Sequence, residues 1–127
     1  MKIAVVGAGN GGQAISAYLS IQGHEVNLYH YRKEKVDALN NKNNTIKLVG
    51  AIEGDGVLHC VSTDLKKVIE GAEVIMVTTI ANAHSTLAEQ MAPILQENQV
   101  VVLNPGRTGG ALEFLQTIKK NGCVNNV

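Results

Sequence analysis

The sequence has few aromatic residues and no excess of charge of either sign. Tryptophan is absent and aromatic residues make up 3% of the 127 residues, too few to form the stacking platforms that bind single-stranded nucleic acids. Eleven Lys and Arg residues balance eleven Asp and Glu residues, so no global basic field attracts nucleic acid or an anionic membrane surface. We therefore expect no nucleic-acid partner, and any bound anion must be held locally.

Cysteines are also scarce, and long hydrophobic runs are missing. Cys60 and Cys123 stand far apart, without a Cys-x-x-Cys or Cys/His cluster and without a positioned base. This pattern predicts no disulfide framework, no zinc site and no thiol nucleophile, and it favours a reduced, cytoplasmic compartment. Met1 and Lys2 lead directly into a short apolar segment rather than a signal peptide, and no run approaches the roughly 20 residues of a membrane span. The sequence predicts a soluble, cytoplasmic protein with no membrane partner.

What is present is the composition of one folded domain, with 45% hydrophobic residues. Short apolar runs rich in β-branched residues predict buried parallel strands at 3–6, 74–77 and 100–103. A further strand is predicted at 25–29, followed by a polar helix from about 32 to 40. The alternation of strands and helices predicts an α/β fold: a doubly wound, mostly parallel, Rossmann-like sheet in three α/β/α layers, which forms one domain over residues 1–127.

An inserted strand pair is predicted between the second helix and the remaining parallel strands. Residues 46–48 and 57–61 are apolar or alternating, and they flank Gly50 and the segment Gly54-Asp55-Gly56. Because glycine and aspartate are typical of turns, we interpret 54–56 as a turn and the flanking segments as a hairpin or strand pair outside the parallel order.

The most specific motif follows the first predicted strand. Gly7-Ala8-Gly9-Asn10-Gly11-Gly12 satisfies Gly-x-Gly-x-x-Gly and opens the first helix. The first glycine permits a tight turn, the second lets a pyrophosphate approach the backbone, and the third lets the helix pack closely on the strand. The alternative is a glycine-rich connection without a ligand, but the position directly after a strand favours a dinucleotide site. The candidate cofactor-binding residues here are Gly7, Gly9, Asn10, Gly11 and Gly12.

The end of the second strand indicates which dinucleotide is bound. In NAD-selective folds an Asp or Glu about 20 residues beyond the glycines binds the ribose 2′-hydroxyl. This sequence has His30 at that position, followed by Arg32, Lys33 and Lys35, which are cationic donors suited to a phosphate. We expect NADP or NAD as cofactor, with NADP slightly favoured through Arg32 first and His30 or Lys33 second. A solvated basic helix start explains the same residues equally well.

The loop after the strand at 74–77 is a second candidate region, because open α/β sheets bind ligands at the carboxyl ends of their strands. Thr78, Thr79 and Ala81 are expected to line the ribose and nicotinamide side. His84 either acts on substrate or cofactor or is structural, as histidines in the first turn of a helix usually are.

The loop after the strand at 100–103 is the third candidate region. Arg107 either meets a carboxylate or phosphate of the ligand or holds backbone carbonyl groups of its own loop. Thr108 is positioned to cap the last helix while its neighbouring amides face the ligand. The candidate cofactor-binding residues in this loop are Asn104, Gly106, Arg107 and Thr108. No metal site is predicted.

Three segments together resemble the opine dehydrogenases, the family of octopine and nopaline dehydrogenases. They are K-I-A-V-V-G-A-G-N-G-G-Q-A at 2–14, T-D-L before a helix that ends E-G-A-E-V-I, and N-P-G-R-T-G-G-A-L-E-F at 104–114. The third segment is the most specific, since ketopantoate reductases and glycerol-3-phosphate dehydrogenases share the first. The resemblance covers essentially the whole chain.

The resemblance implies the N-terminal dinucleotide-binding domain of an oxidoreductase that uses NAD(P)H to condense the amine of an amino acid with a 2-oxo acid. The family's helical C-terminal domain carries its catalytic residues and is expected to be absent from this chain, so no catalytic residue is assigned. We expect the chain alone to bind cofactor without efficient turnover, and a homodimer is compatible with the sequence. A ketopantoate reductase or glycerol-3-phosphate dehydrogenase-like domain, or a stand-alone dinucleotide-sensing module, is the alternative.

Overall fold

The computed structural model describes residues 1–7, 9–48, 53–78, 84–103 and 119, and for residues 10 and 84–86 it describes the backbone alone. Strands and helices alternate along these residues, with one pair of strands inserted after the second helix. The elements are β1 (Lys2–Val6), α1 (Asn10–Ile21), β2 (Glu25–Tyr29), α2 (Lys33–Asn40), β3 (Thr45–Leu48), β4 (Gly54–Val57), β5 (Cys60–Ser62), α3 (Leu65–Ile69), β6 (Val74–Val77), α4 (His84–Met91) and β7 (Val100–Leu103).

Five strands form one parallel sheet in the order β5-β2-β1-β6-β7. β1 is central, and its Val5 lies opposite Leu28 of β2 on one side and Met76 of β6 on the other. The chain first moves outward from β1 to β2 and β5, then returns to the other side of β1 through β6 and β7. This reversal of strand order is the topological switch point of a doubly wound fold, and it confirms the Rossmann-like α/β class predicted from the sequence.

The sheet is buried on both faces. Ala4 and Val6 of β1 belong to a core shared with α3 and α4, whereas Ile3 and Val5 belong to a second core shared with α1, α2 and the inserted strands. Because successive side chains of a strand point to opposite faces, β1 must be apolar at each position from Ile3 to Val6 to serve both cores. This explains the continuous apolar run from which the strand was predicted.

The inserted strands β3 and β4 pair antiparallel and pack on α1. A Cβ atom on Gly56 would lie 2.6 Å from the Cα atom of Ala17, so only glycine allows this approach of strand to helix. The prediction of a strand pair is confirmed, but its boundaries were wrong. Residues 54–57 form β4, where a turn was expected at 54–56. β5, which overlaps the end of the segment predicted as the second strand of the pair, joins the parallel sheet beside β2.

The described helices are short. α1 is the longest, with 12 residues, and α2 and α4 have eight each. α3 is a five-residue helix that begins after Asp64, whose side chain accepts a hydrogen bond from the Lys67 amide. None of the helices in the described ranges has the length and apolar character required to cross a bilayer.

Candidate functional site

The turn between β1 and α1, formed by Gly7 and residues 9–12 and here termed the glycine turn, lies at the carboxyl ends of the central strands. The Gly7 amide donates a hydrogen bond to the Tyr29 carbonyl oxygen at the end of β2, with a distance of 2.9 Å. Gly7 has a φ angle of 118°, a conformation that residues with a Cβ atom rarely adopt. The chain can therefore leave the buried strand sharply and begin the helix.

Gly12 brings the first turn of α1 against the end of β1. A Cβ atom at this position would lie 1.8 Å from the Gly7 carbonyl oxygen and 2.7 Å from Oγ1 of Thr78. Both distances are shorter than any real contact of a Cβ atom, and one of the two atoms belongs to the backbone. The helix can start this close to the strand only because position 12 is glycine.

Gly9 and Gly11 face open space instead. A Cβ atom on either residue would meet no atom within 4 Å. Gly9 is the N-cap of α1 without a side-chain cap, and the first turn contains no acidic residue. The first amides of a helix have no intrahelical partner, and they carry the positive end of the helix dipole. The glycine turn thus fits a pyrophosphate, since it combines unoccupied space with free amide donors.

Thr78 connects the glycine turn to the end of β6. Its amide donates to the Val6 carbonyl oxygen at 2.9 Å, and its hydroxyl lies 3.0 Å from the Gly7 carbonyl oxygen and 3.2 Å from that of Val6. The sequence predicts that Thr78 lines the ribose and nicotinamide side. The structure adds a second role, because the hydroxyl group holds the backbone of the turn in place.

His30 follows β2 and is almost fully buried, with 9% of its surface exposed. Its Nδ1 atom accepts a hydrogen bond from the Arg32 amide at 3.0 Å, and its own amide donates to the Ser62 carbonyl oxygen. Burial, and then the charges of Lys35 and Arg32, lower the pKa of His30 below its ordinary value. At neutral pH His30 is therefore uncharged, and it stabilises the turn from β2 to α2 without adding positive charge.

Arg32 contacts a residue that sequence reasoning missed, the neighbouring Tyr31. The Nε atom of Arg32 donates to the Tyr31 hydroxyl oxygen at 2.9 Å, and Cζ lies 5.4 Å from the centre of the tyrosine ring. The Tyr31 ring in turn stacks on the His30 ring, with centroids 4.7 Å apart and an interplanar angle of 22°. Lys33, the first residue of α2, is exposed beside this cluster. The only sequence signal for Tyr31 is its position between His30 and Arg32.

The remaining predicted residues belong to the loops after β6 and β7. Both strands run parallel to β1, so Val77 and Leu103 end at the edge of the sheet that carries the glycine turn. His84 is the first residue of α4, and only its backbone is described. The other predicted residues of these loops lie outside the described residues: Thr79, Ala81, Asn104, Gly106, Arg107 and Thr108.

Comparison with known sequences identifies relatives among the dehydrogenases. An opine dehydrogenase of Arthrobacter sp. (strain 1C) is 32% identical over 120 residues, which are 94% of this chain and 33% of that protein. A glycerol-3-phosphate dehydrogenase [NAD(P)+] of Lacticaseibacillus casei (strain BL23) is 34% identical over 99 residues, 77% of this chain and 28% of the relative. The chain spans about a third of the length of these relatives. The resemblance to opine dehydrogenases stated from the motifs is confirmed.

Solved structures share the fold. An octopine dehydrogenase structure with NADH and pyruvate has a TM-score of 0.82 and 22% identity, and covers 94% of this chain and 33% of its own. A ketopantoate reductase from Ralstonia eutropha JMP134 has a TM-score of 0.75 and 23% identity, and covers 91% of this chain and 38% of its own. The family model of the NAD-dependent glycerol-3-phosphate dehydrogenase N-terminus matches residues 2–122. The chain belongs to this family of NAD(P)-binding dehydrogenase N-terminal domains.

Proposed function

We propose that this chain forms the cofactor-binding part of an oxidoreductase that reductively condenses an amino acid with a 2-oxo acid. The observation that carries the proposal is the glycine turn, in which Gly12 places the helix against β1 while Gly9 and Gly11 leave space before its free amides. The choice of reaction is supported by the similarity to an opine dehydrogenase over 94% of the chain. The segment N-P-G-R-T-G-G-A-L-E-F at 104–114 supports it further.

The residues of the chain have distinct tasks in this proposal. The amides at the start of α1 bind the pyrophosphate, and Thr78 keeps the glycine turn in position. Arg32 and Lys33 bind a 2′-phosphate, which gives NADP a slight advantage over NAD. The predicted nicotinamide-side residues keep their proposed role: Thr79, Ala81, His84, Asn104, Gly106, Arg107 and Thr108.

The chemistry requires more than these residues. The amine of one substrate replaces the carbonyl oxygen of the other with loss of water, and bound NAD(P)H supplies the hydride that reduces the resulting carbon–nitrogen double bond. The nitrogen takes up a proton. We propose that residues 1–127 make up one dinucleotide-binding domain and that the proton donor and the enclosure of the substrates come from a further domain, as the resemblance implies. The dinucleotide-binding domain then holds and orients the cofactor.

Calorimetric titration of the purified chain with NADH and NADPH tests the cofactor part of the proposal. The critical variant is Gly9→Ala. The extended backbone conformation of Gly9 suits alanine, and the methyl group of the alanine would enter only the space proposed for the ligand. We expect the wild type to bind, and the affinity of the variant for both dinucleotides to fall at least about tenfold, or about 1.4 kcal/mol. Circular dichroism and urea unfolding establish that the variant is folded. Absence of binding to the wild type, or equal binding by the variant, would contradict the proposal.

Glycerol-3-phosphate dehydrogenase activity is the second candidate, because the matching family model over residues 2–122 carries that name. The two reactions differ in the carbonyl substrate. The whole protein is incubated with NADPH or NADH and with one of three substrates: an amino acid together with pyruvate, dihydroxyacetone phosphate alone, or 2-oxopantoate alone. Oxidation of the reduced cofactor is followed by its absorbance. Turnover only with the amino acid and pyruvate supports the first proposal. Turnover only with dihydroxyacetone phosphate would replace it with the second, and turnover only with 2-oxopantoate would indicate a ketopantoate reductase.

A further inference from the structure

The turn that joins β2 to α2 carries an exposed aromatic side chain beside a cation. Tyr31 is 68% exposed, and it lies two residues after Tyr29, whose carbonyl oxygen is bonded to the Gly7 amide. The pair Tyr31 and Arg32 therefore stands at the same sheet edge as the glycine turn, where the second strand ends.

The guanidinium group of Arg32 is held from one side. Its Nε atom donates to the Tyr31 hydroxyl oxygen, and its carbon lies over the tyrosine ring. An arginine has one hydrogen on Nε and four on the two terminal nitrogens. Because the Tyr31 hydroxyl uses the single Nε hydrogen, the pair of terminal nitrogens stays available for the bidentate binding of a phosphate. Within the described residues, no carboxylate pairs with this guanidinium group.

The backbone of the same residue is held as well. The Arg32 amide donates to Nδ1 of His30, and the His30 ring stacks on the Tyr31 ring. Three consecutive residues thus restrict one another through one backbone–side-chain hydrogen bond, one side-chain hydrogen bond and a stacking contact. Such an arrangement fixes a long side chain before any ligand arrives, which lowers the entropy that is lost on binding.

We propose that Tyr31 is a positioning residue that holds the Arg32 guanidinium group ready for the 2′-phosphate of NADP(H). The inference rests on the proposed function, because it assumes a dinucleotide bound at the glycine turn. It extends that function by assigning cofactor discrimination to a pair of residues rather than to Arg32 alone. Tyr31 itself contributes no charge to the phosphate; its hydroxyl oxygen accepts the Nε–H bond and its ring supports the guanidinium plane.

The test compares Tyr31→Phe with Arg32→Ala, and uses Tyr18→Phe as the matched control on the exposed side of α1. Dissociation constants for NADPH and NADH are measured by calorimetry over a series of salt concentrations. We expect Tyr31→Phe to weaken NADPH binding about three- to tenfold, the effect of releasing one long side chain, with NADH binding unchanged. Its salt dependence should equal that of the wild type, since the charge of Arg32 remains. Arg32→Ala should lower both the affinity for NADPH and the salt dependence of that affinity, and Tyr18→Phe should change neither.

Each contrary result has a distinct meaning. If Arg32→Ala lowers NADPH affinity but Tyr31→Phe does not, the positioning role of Tyr31 is wrong while the proposed function stands. If Tyr31→Phe weakens NADH and NADPH equally, Tyr31 does not discriminate between cofactors and the inference is also wrong. An unchanged ratio of the two affinities in Arg32→Ala overturns it as well, and leaves the glycine turn as the cofactor site. If the wild type binds neither dinucleotide, the proposed function and this inference fall together.

Discussion

A Cβ atom added to Gly12 would lie 1.8 Å from the carbonyl oxygen of Gly7. The first and last glycines of the motif are therefore in direct contact, and the same carbonyl oxygen also lies 3.0 Å from the Thr78 hydroxyl. The turn between β1 and α1 is held from the helix on one side and from β6 on the other. The geometry of the candidate cofactor site depends on both contacts, and each can be removed separately.

Replacing Gly12 by alanine should destabilise the fold. The added methyl group collides with backbone at Gly7, so helix and strand must separate, and overpacking of this kind costs about 1–3 kcal/mol. Gly11→Ala is the matched control, because a Cβ atom there meets nothing and alanine favours a helix over glycine by about 1 kcal/mol. Urea unfolding should show a lowered midpoint for Gly12→Ala and an equal or raised midpoint for Gly11→Ala. Equal midpoints for wild type and Gly12→Ala would show that the contact is relieved without cost.

Replacing Thr78 by valine should loosen the glycine turn while keeping the shape of the side chain. The variant loses the hydroxyl near the Gly7 carbonyl oxygen, which costs about 1 kcal/mol of stability. Thr78→Ser keeps the hydroxyl and serves as the comparison. We expect weaker binding of both NADH and NADPH by the valine variant than by the serine variant. If calorimetry gives the two variants the same affinities, the hydroxyl has no part in positioning the turn.

Gln99, which precedes β7, should be important for stability although it lies far from the glycine turn. It is 3% exposed, its Nε2 atom donates to the carbonyl oxygens of Ile69 and Ala72 at 2.8 and 3.0 Å, and its Oε1 atom accepts from the Gln96 amide. Gln99→Ala removes the bonds to the Gln96 amide and to the Ala72 carbonyl oxygen, whereas the Ile69 carbonyl oxygen keeps its bond from the Ala72 amide. The loss of these buried bonds should lower the free energy of unfolding by about 2 kcal/mol. Gln90→Ala, on the exposed side of α4, should leave it nearly unchanged. Comparable urea midpoints for the two variants would contradict this assignment.

Stability should decrease at mildly acidic pH in part because of His30. Burial lowers the pKa of its imidazole below the ordinary value of 6.5, so the unfolded chain binds a proton at higher pH than the folded chain does. The contribution of His30 to stability is fully present above about pH 6.5, falls as the pH drops below that value, and becomes constant below the pKa of the folded state.

The variant His30→Asn isolates this effect. An asparagine can accept the same hydrogen bond from the amide two residues later, and it does not titrate. Free energies of unfolding from urea titrations at about pH 7.5 and about pH 5.5 should therefore fall less in His30→Asn than in the wild type. All other titrating groups are common to both proteins, so their effects cancel in the comparison. Equal decreases in the two proteins would show that His30 does not titrate differently on folding.

The parallel strands could be predicted because a strand that is buried on both faces needs apolar residues at successive positions. β1 and β6 are apolar at each of their central positions, and the glycine motif after β1 identifies the turn. β5 lacks such an apolar run, since Cys60–Ser62 is short and partly polar. Its position beside β2 is determined by tertiary contacts. Gly56 was interpreted as part of a turn for a related reason. Glycine is required at position 56 because the Ala17 backbone approaches it closely. No local sequence pattern reveals this approach.

The candidate site could be predicted in composition but not in geometry. Gly7 and Gly12 follow from the motif, and His30 and Arg32 from their distance to it. The contact between Thr78 and Gly7 joins residues 71 apart in the sequence, so it depends on how β6 docks against β1. The contact between Tyr31 and Arg32 is local, but it depends on the rotamer of each side chain. Neither the spacing nor the residue type indicates which nitrogen of the guanidinium group donates to the Tyr31 hydroxyl oxygen.

The central position of β1 also bears on the order in which the molecule is assembled during synthesis. The glycine turn is synthesised before both strands that flank β1, and β2 can pair with β1 soon after it has been made. The other neighbour of β1 is β6, and the hydroxyl that holds the Gly7 carbonyl oxygen belongs to Thr78, directly after that strand. Contacts between residues this far apart in the chain form late because a long loop must close first. A nascent chain released before residue 78 therefore carries the complete glycine motif without a finished nucleotide site.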